Sequence, residues 1–252
     1  MNVKGKIILI TGGAGGLGSV MAKTLGKNGA EIYILDLPSM KDTAWKLVSD
    51  IREQGSRAEF QPIDLTSEKE WEAVIRDVMS KAGRIDVLIN NAGINIRKPI
   101  EEMSYDEWMK MMSVNTGTVF LGIKAVLPIM RKQHNGSIIN TSSVCGLIGH
   151  RYTPEAYTAT KGAVTLFTKA VASRYGHEGI RCNSIHPSTV DTPLVHEKLK
   201  DPVFREERLG EVPLGRLASV EDVANAVLYL ASAEASFING VSLPIDGGVT
   251  SY

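Results

Sequence analysis

Short runs of aliphatic and β-branched residues alternate along this chain with longer stretches whose apolar positions recur every three or four residues. The short runs occupy 6–11, 31–36, 58–64, 85–90, 137–142, 180–186 and 241–245, with Gly, Asn, Asp, Ser or Pro at or just beyond their ends. Their length, branching and flanking turn residues predict seven strands. The stretches between them predict helices, several with legible starts. Ser67 with Glu70 and Ser104 with Glu107 read as capping boxes, in which hydroxyl and carboxylate each accept a main-chain N–H. Ser219 precedes Glu221 and Asp222 in a first turn, and Thr153 before Pro154 reads as an N-cap and a first helical residue.

Strand-helix-strand order requires parallel pairing, and nearly unbroken apolar strands require cover on both faces. The expectation is an α/β fold: a single-domain, Rossmann-like, doubly wound seven-stranded parallel sheet with helices on both faces. No linker, charge block or fixed-period repeat divides residues 1–252, which read as one domain. In such a sheet ligands bind beyond the carboxyl ends of the strands, so chemistry is expected just after each run.

Composition narrows the classes. The 28 basic and 28 acidic side chains cancel, leaving no field for a nucleic acid backbone. Uninterrupted aliphatic runs such as 7–10 fall far short of the roughly 20 apolar residues that cross a bilayer, so no membrane is expected. A strand-like run begins too close to Met1 for a signal peptide. Cys145 and Cys182 alone give neither a disulfide framework nor a zinc set, so no metal is expected and the cytoplasm is the expected location.

After the first strand comes Thr11-Gly12-Gly13-Ala14-Gly15-Gly16-Leu17-Gly18, then a helical stretch over 19–27. Bare backbone here allows positive φ and lets amides approach a pyrophosphate at a helix N-terminus. Gly13, Gly15 and Gly18 fit the dinucleotide fingerprint, and Gly12, Gly16 and Gly18 fit a looser spacing. Asp36 ends the second strand, where an acid meets the adenosine ribose; the alternative is a local cap. With Gly15 and Leu37 beside it, nothing compensates a 2′-phosphate, so NAD is expected over NADP. Asp64, with Leu65, reads either as an adenine contact or as an N-cap.

Tyr157 and Lys161 stand four residues apart, on one helical face. A cation about 4 Å from a phenol, at effective dielectric 20, contributes on the order of 4 kcal/mol, enough to lower a phenol pKa by roughly three units. Ser143 ends the fifth strand without a nucleophile-elbow sequence, so it reads as a donor to a substrate carbonyl. Asn115 falls inside a helical stretch over 104–132, where an asparagine competes with the backbone and suggests a kink stabilised by water.

Together, the glycine turn, Asp64, Asn90-Asn91-Ala92-Gly93, Asn115, Ser143, Tyr157 with Lys161, Pro187 with Thr192, and the closing Asp246-Gly247-Gly248 resemble the motif series of the classical short-chain dehydrogenase/reductase family. The resemblance covers nearly the whole chain and selects Gly12, Gly16 and Gly18 from the ambiguous glycines. It implies a tetrad of Asn115, Ser143, Tyr157 and Lys161. Tyr157 would exchange the substrate proton, Ser143 orient the oxygen, Lys161 bind the nicotinamide ribose, and Asn115 hold a water that passes the proton onward. It further implies that Thr11, Leu17, Asn91, Ala92, Gly93, Pro187, Val190 and Thr192 contribute to the cofactor site, and that the protein is a homotetramer contacting itself through 104–132 and 153–175. Ser188 departs from the family's usual glycine.

Residues 194–211 are charged and mixed, resembling a substrate lid. Asn95, Arg97, Cys145, Arg151, Ser188 and His196 are candidate substrate-pocket residues. Arg97 with Arg151 would receive a carboxylate, or else both are solvated; Cys145 reads as packing rather than as a thiolate. The leading expectation is an NAD(H)-dependent oxidoreductase interconverting a small-molecule secondary alcohol and ketone. The alternatives are a 3-oxoacyl-carrier reductase, commonly NADPH-linked, and a catalytically silent dinucleotide sensor.

Overall fold

A computed structural model describes residues 1–251, with every side chain except those of Pro193 and Leu194. Tyr252, the last residue of the expected domain, and the side chain of Leu194, first residue of the expected lid, lie outside this description. The seven strands are β1 (Ile7–Thr11), β2 (Glu31–Asp36), β3 (Ala58–Pro62), β4 (Val87–Asn90), β5 (Gly136–Thr141), β6 (Ile180–Pro187) and β7 (Ser242–Ile245). They form one sheet, all neighbours parallel, in the order β3-β2-β1-β4-β5-β6-β7. The order reverses between β1 and β4, which opens a crevice at their carboxyl ends.

Nine α-helices complete the described residues: α1 (Gly16–Lys27), α2 (Lys41–Glu53), α3 (Glu68–Ala82), α4 (Tyr105–Met112), α5 (Thr118–Gln133), α6 (Glu155–Tyr175), α7 (Pro193–Lys198), α8 (Pro202–Gly210) and α9 (Val220–Ala231). Strand alternation sends side chains to both faces. Ile8, Ile10, Ile32 and Ile34 meet α1, α2 and α9, while Ile7, Leu9, Tyr33 and Leu35 share the other core with α3, α5 and α6. Both faces are therefore dry, and each fully buried aliphatic side chain contributes roughly 1.5–3 kcal/mol.

The capping expectations divide. Ser104 and Glu107 form the full box, and so do Ser219 and Asp222. Ser67 accepts from the Glu70 amide, but the Glu70 carboxylate takes the Asp64 N–H at 2.8 Å, so that box is only half closed. Thr153 caps nothing; α6 begins one residue later, with Pro154 in the cap position, and the Thr153 hydroxyl meets His150 and Cys145 instead.

The stretch expected as one long helix is α4 and α5 joined by a π-turn over Ser113–Gly117. As a continuous run, Tyr105–Gln133 has 29 residues and its most apolar window has a mean hydropathy of 1.3, long and apolar enough by composition to cross a membrane. Counting uninterrupted aliphatic runs missed this, because Lys, Asn, Thr and Gly punctuate it. One third of its most apolar window is buried within the fold, against α3, α6 and the sheet.

Candidate active site

The ends of β1 and β4 are tied together by side chains. The Thr11 hydroxyl accepts from the Asn91 and Ala92 amides at 2.9 and 3.2 Å, and Asn91 Nδ2 donates to the Thr11 and Gly12 carbonyls, each at 3.2 Å. Thr11 is buried, so its hydroxyl shapes the turn from behind. Gly12 and Gly16 have φ of +60° and +27°; a Cβ on Gly12 would also lie 2.9 Å from Ala92 Cα. A Cβ on Gly18 would collide with the Gly12 carbonyl oxygen. Gly15 is extended, at φ −101°, with open space around it. Geometry thus requires glycine at 12, 16 and 18, and also at 13, where a Cβ would lie 2.9 Å from the Ile10 carbonyl oxygen, leaving Gly15 as the unconstrained member of the other spacing.

Two acids behave differently. Asp36 accepts from the Ala14 amide at 3.0 Å and the Leu37 amide at 2.9 Å, reaching back over the glycine turn. Asp64 closes a local turn, accepting from the Thr66 amide and hydroxyl at 2.9 and 2.7 Å; these bonds hold its carboxyl below the usual range. Leu65 is buried, its carbonyl accepting from Trp71 Nε1.

Asn115 sits in the π-turn, fully buried. Its Oδ1 accepts from the Ile94 amide at 2.7 Å, and its Nδ2 donates to the Ile94 carbonyl and Thr160 hydroxyl at 2.9 and 3.1 Å. Protein groups therefore satisfy the side chain expected to hold a water, and the kink takes the form of a wide turn common at functional sites. The same contacts pin the loop after β4 to α6. A Cβ on Gly93 would meet Asn115 Oδ1 at 3.2 Å and Lys161 Nζ at 3.6 Å.

Tyr157 and Lys161 share one face of α6, as their spacing requires. Lys161 is 3% exposed; its Nζ donates to the Thr141 carbonyl at 2.8 Å and stands 5.6 Å from the Tyr157 ring centroid. The expected three-unit drop of the phenol pKa is not found. Burial pushes the phenol up, the neighbouring Cys145 adds to this, and the hydrogen bond to Ser143 and the charge of Arg97 pull it down. Burial likewise pulls Lys161 down to about 8. Desolvation is the largest influence on both groups. Ser143 lies at the end of β5, its hydroxyl accepting from the Cys145 amide at 3.3 Å.

Tyr157, Lys161 and Ser143 border one cleft of about 350 Å³, which Asn115, Asp36 and Asp64 do not line. Leu17, Asn91 and Gly93 line it beside Ser143, Tyr157 and Lys161, and Pro187, Ser188, Val190 and Thr192 line it from β6 onward. Ser188 replaces the family's glycine without a positive φ, and its buried hydroxyl has no hydrogen-bond partner among the described residues. Asn95, Arg97 and Cys145 line the cleft. Arg151 and His196 do not. The Arg151 guanidinium lies 4.5 Å over the Tyr152 ring, and His196 pairs with Asp191 at 3.3 Å beside a separate hollow. The lid segment supplies Val195, Phe204, Arg208 and Glu211, Val212 follows it directly, and Val249 approaches from the C-terminal end. Phe204, the sole aromatic residue in 194–211, was the signal available in sequence. Among the described residues no three His, Cys, Asp or Glu side chains are grouped to hold a metal.

A dinucleotide fits these residues: the first turn of α1 has neither a capping side chain nor an acid, so its amides stay available to phosphate. Among the described residues the hydroxyls of Thr141 and Ser188 have no hydrogen-bond partner, and both residues line the cleft. Residues 12–250 match the family model described as Enoyl-(Acyl carrier protein) reductase. The chain belongs to the short-chain dehydrogenase/reductase family. This short-chain dehydrogenase/reductase is 41% identical over 248 residues to the cyclopentanol dehydrogenase of Comamonas sp. (strain NCIMB 9872), covering 98% of each chain. It is 30% identical to an NAD+-bound xylitol dehydrogenase, with a TM-score of 0.92, covering 98% of this chain and 100% of that one. It is 34% identical to a gluconate 5-dehydrogenase from Burkholderia cenocepacia J2315 in complex with NADP and tartrate, with a TM-score of 0.93, covering 100% of this chain and 97% of that one. The protein is an oxidoreductase of secondary alcohols and ketones, acting on CH–OH donors with a nicotinamide dinucleotide.

Proposed function

We propose that the dinucleotide is NAD(H) and that Tyr157, Ser143, Lys161 and Asn115 form the working tetrad. The observation that carries this reading is the common cleft of Tyr157, Lys161 and Ser143 beside a glycine turn with uncapped amides. When bound, the nicotinamide supplies the hydride chemistry. Tyr157 gives its proton to the ketone oxygen or takes it from the alcohol, and the Ser143 hydroxyl orients that oxygen. Burial keeps the phenol protonated at rest, which suits ketone reduction; oxidation needs that proton removed first. Lys161 holds the nicotinamide ribose, and Asn115 acts as a positioning residue, fixing Gly93 and Ile94 beside the Lys161 ammonium.

The remaining cofactor contacts are Gly12, Gly16, Leu17 and Gly18 at the pyrophosphate, Asp36 at the adenosine ribose, Asp64 and Leu65 near adenine, Asn91 to Gly93 along the middle, and Pro187, Val190 and Thr192 at the carboxamide. The Asp36 carboxylate repels a 2′-phosphate, and exposed Leu37 offers it no cation. Residues 1–252 act as one catalytic domain, with 194–211 as its lid. Apolar surface on α4, α5 and α6, including Met109, Phe120 and Leu166, supports a homotetramer.

The test is the oxidation of a panel of cyclic and open-chain secondary alcohols with NAD+ and with NADP+. The expected result is at least a tenfold higher kcat/KM with NAD+, about the discrimination that one uncompensated charge gives. A preference for NADP+ would overturn the role of Asp36. Turnover confined to 3-oxoacyl carriers would replace the alcohol reading, and binding without turnover of any substrate would make the chain a sensor.

A further inference from the structure

We infer that the substrate end of the cleft is an anion site, in which Arg97 and Arg208 receive the carboxylate of a hydroxy acid whose secondary alcohol meets Tyr157 and Ser143. This rests on the dehydrogenase reading above and adds the class of substrate.

The charges bordering the cleft do not balance, although those of the whole chain do. Among the described residues, Arg97, Lys161 and Arg208 face it against a single carboxylate, Glu211. Lys161 is already engaged deep in the wall by the Thr141 carbonyl. The excess therefore lies with the two arginines, one on the loop after β4 and the other on α8. A cleft with one sign of charge and low-dielectric walls concentrates substrates of the opposite sign.

Arg208 is the more telling of the two. Its side chain is 11% exposed, yet its guanidinium makes no hydrogen bond to any described residue. It lies 4.8 Å over the Tyr152 ring and 5.1 Å over the Phe204 ring. Contact with aromatic rings engages the flat cationic surface and leaves the N–H edge free. The nearest carboxylate, that of Glu211, is 3.7 Å away, beyond hydrogen-bonding distance, and the same oxygen stands 3.2 Å from His150 Nε2. A guanidinium with five donors so far removed from water is costly to leave without an acceptor.

Arg97 is exposed and makes no hydrogen bond or ion pair with any described residue, while its charge reaches the reacting phenol. A planar carboxylate suits both side chains, one bonding it in a two-point fork and the other completing its lone pairs. The sequence paired Arg97 with Arg151; in the fold Arg208 takes that place, because Arg151 lies over Tyr152 without lining the cleft. A ring hydroxy acid and an open-chain sugar acid both carry the required carboxylate and secondary hydroxyl.

The experiment measures kcat/KM for 4-hydroxycyclohexanecarboxylate and for gluconate, each against its neutral primary amide. At least one acid is expected to exceed its amide tenfold or more, the better pair telling ring from open chain, and the excess is expected to shrink as salt is raised. Arg97→Met and Arg208→Gln are each expected to cut the acid-to-amide ratio about tenfold, and Arg208→Lys, which keeps the charge without the planar fork, to recover only part of that loss. Amides used as well as acids, or a ratio unmoved by both substitutions, would overturn the proposal. Calorimetric binding of cyclohexanecarboxylate and its amide to the dinucleotide-loaded protein separates the two readings. Tighter binding of the acid without oxidation of any alcohol removes the dehydrogenase mechanism and keeps the anion site; equal binding removes the anion site alone.

Discussion

His186 holds Ser143 from behind, its Nδ1 lying 2.8 Å from the Ser143 carbonyl oxygen. A carbonyl only accepts, so Nδ1 carries the proton, and Nε2 accepts from the Ser184 hydroxyl at 2.8 Å. The ring is fully buried, and burial lowers its pKa, so it is neutral and its tautomer fixed. The serine that orients the substrate oxygen is thereby anchored through its own main chain, by a residue two positions before the cleft-lining Ser188.

His186→Leu is expected to lower kcat about tenfold with NADH affinity within about threefold, as loss of an outer support does. The pH dependence of stability gives a second readout. Because the folded pKa is depressed below the ordinary 6.5, the unfolded chain takes the proton first, and stability is lost as pH falls below 6.5. Thermal melts of wild type should fall more steeply over that window than those of His186→Leu. Parallel curves and an unchanged kcat would show that the histidine only fills space.

Lys161 is a charge kept in the core at the expense of stability. Removing it in Lys161→Met should raise stability on the order of 1–3 kcal/mol, seen as a melting temperature several degrees higher, while turnover is lost. In the unliganded wild type the ammonium is lost as pH rises through about 8. NADH affinity followed by nicotinamide fluorescence should therefore weaken above pH 8. Constant affinity across that value would remove Lys161 from the ribose site.

The glycines of the first turn are not equivalent. Gly12→Ala places a methyl against Ala92 at positive φ and is expected to cost on the order of 1–3 kcal/mol and at least tenfold in dinucleotide affinity. Gly15→Ala, extended and in open space, should shift stability by less than about 1 kcal/mol. Equal losses in the two variants by denaturant titration would contradict the assignment of Gly12, Gly16 and Gly18.

Association should run through the apolar outer faces of α5 and α6, where Phe120 and Phe167 stand 6.4 Å apart and Leu166 is 70% exposed. Leu166→Glu is expected to reduce the assembled mass in sedimentation at micromolar concentration. An unchanged mass, or a monomeric wild type, would exclude this face as the contact.

The scaffold was legible wherever local sequence decides. β2 matches its expected bounds because apolar runs of that length with turn residues at each end have few other outcomes. The Ser104 box forms because its partners are three residues apart. Legibility ended where distant groups compete for the same atom. Glu70 leaves Ser67 for the Asp64 amide, and Thr153 leaves its helix for His150 and Cys145. The phenol shows the same limit: four residues of helix bring the cation close, but burial, which no local spacing encodes, pushes the phenol up and the ammonium down. Arg208 was legible only as one of the charges of 194–211, because no short-range pattern links residue 208 to Tyr152 or to the cleft.

Tyr157→Phe tests the mechanism most directly, since it removes one oxygen and leaves the ring that packs beside Lys161. Steady-state oxidation of a secondary alcohol, measured together with NADH binding to the same preparation, should show kcat reduced roughly 10²–10⁴-fold with affinity within about threefold. A variant that turns over as fast as wild type would contradict proton exchange at this phenol.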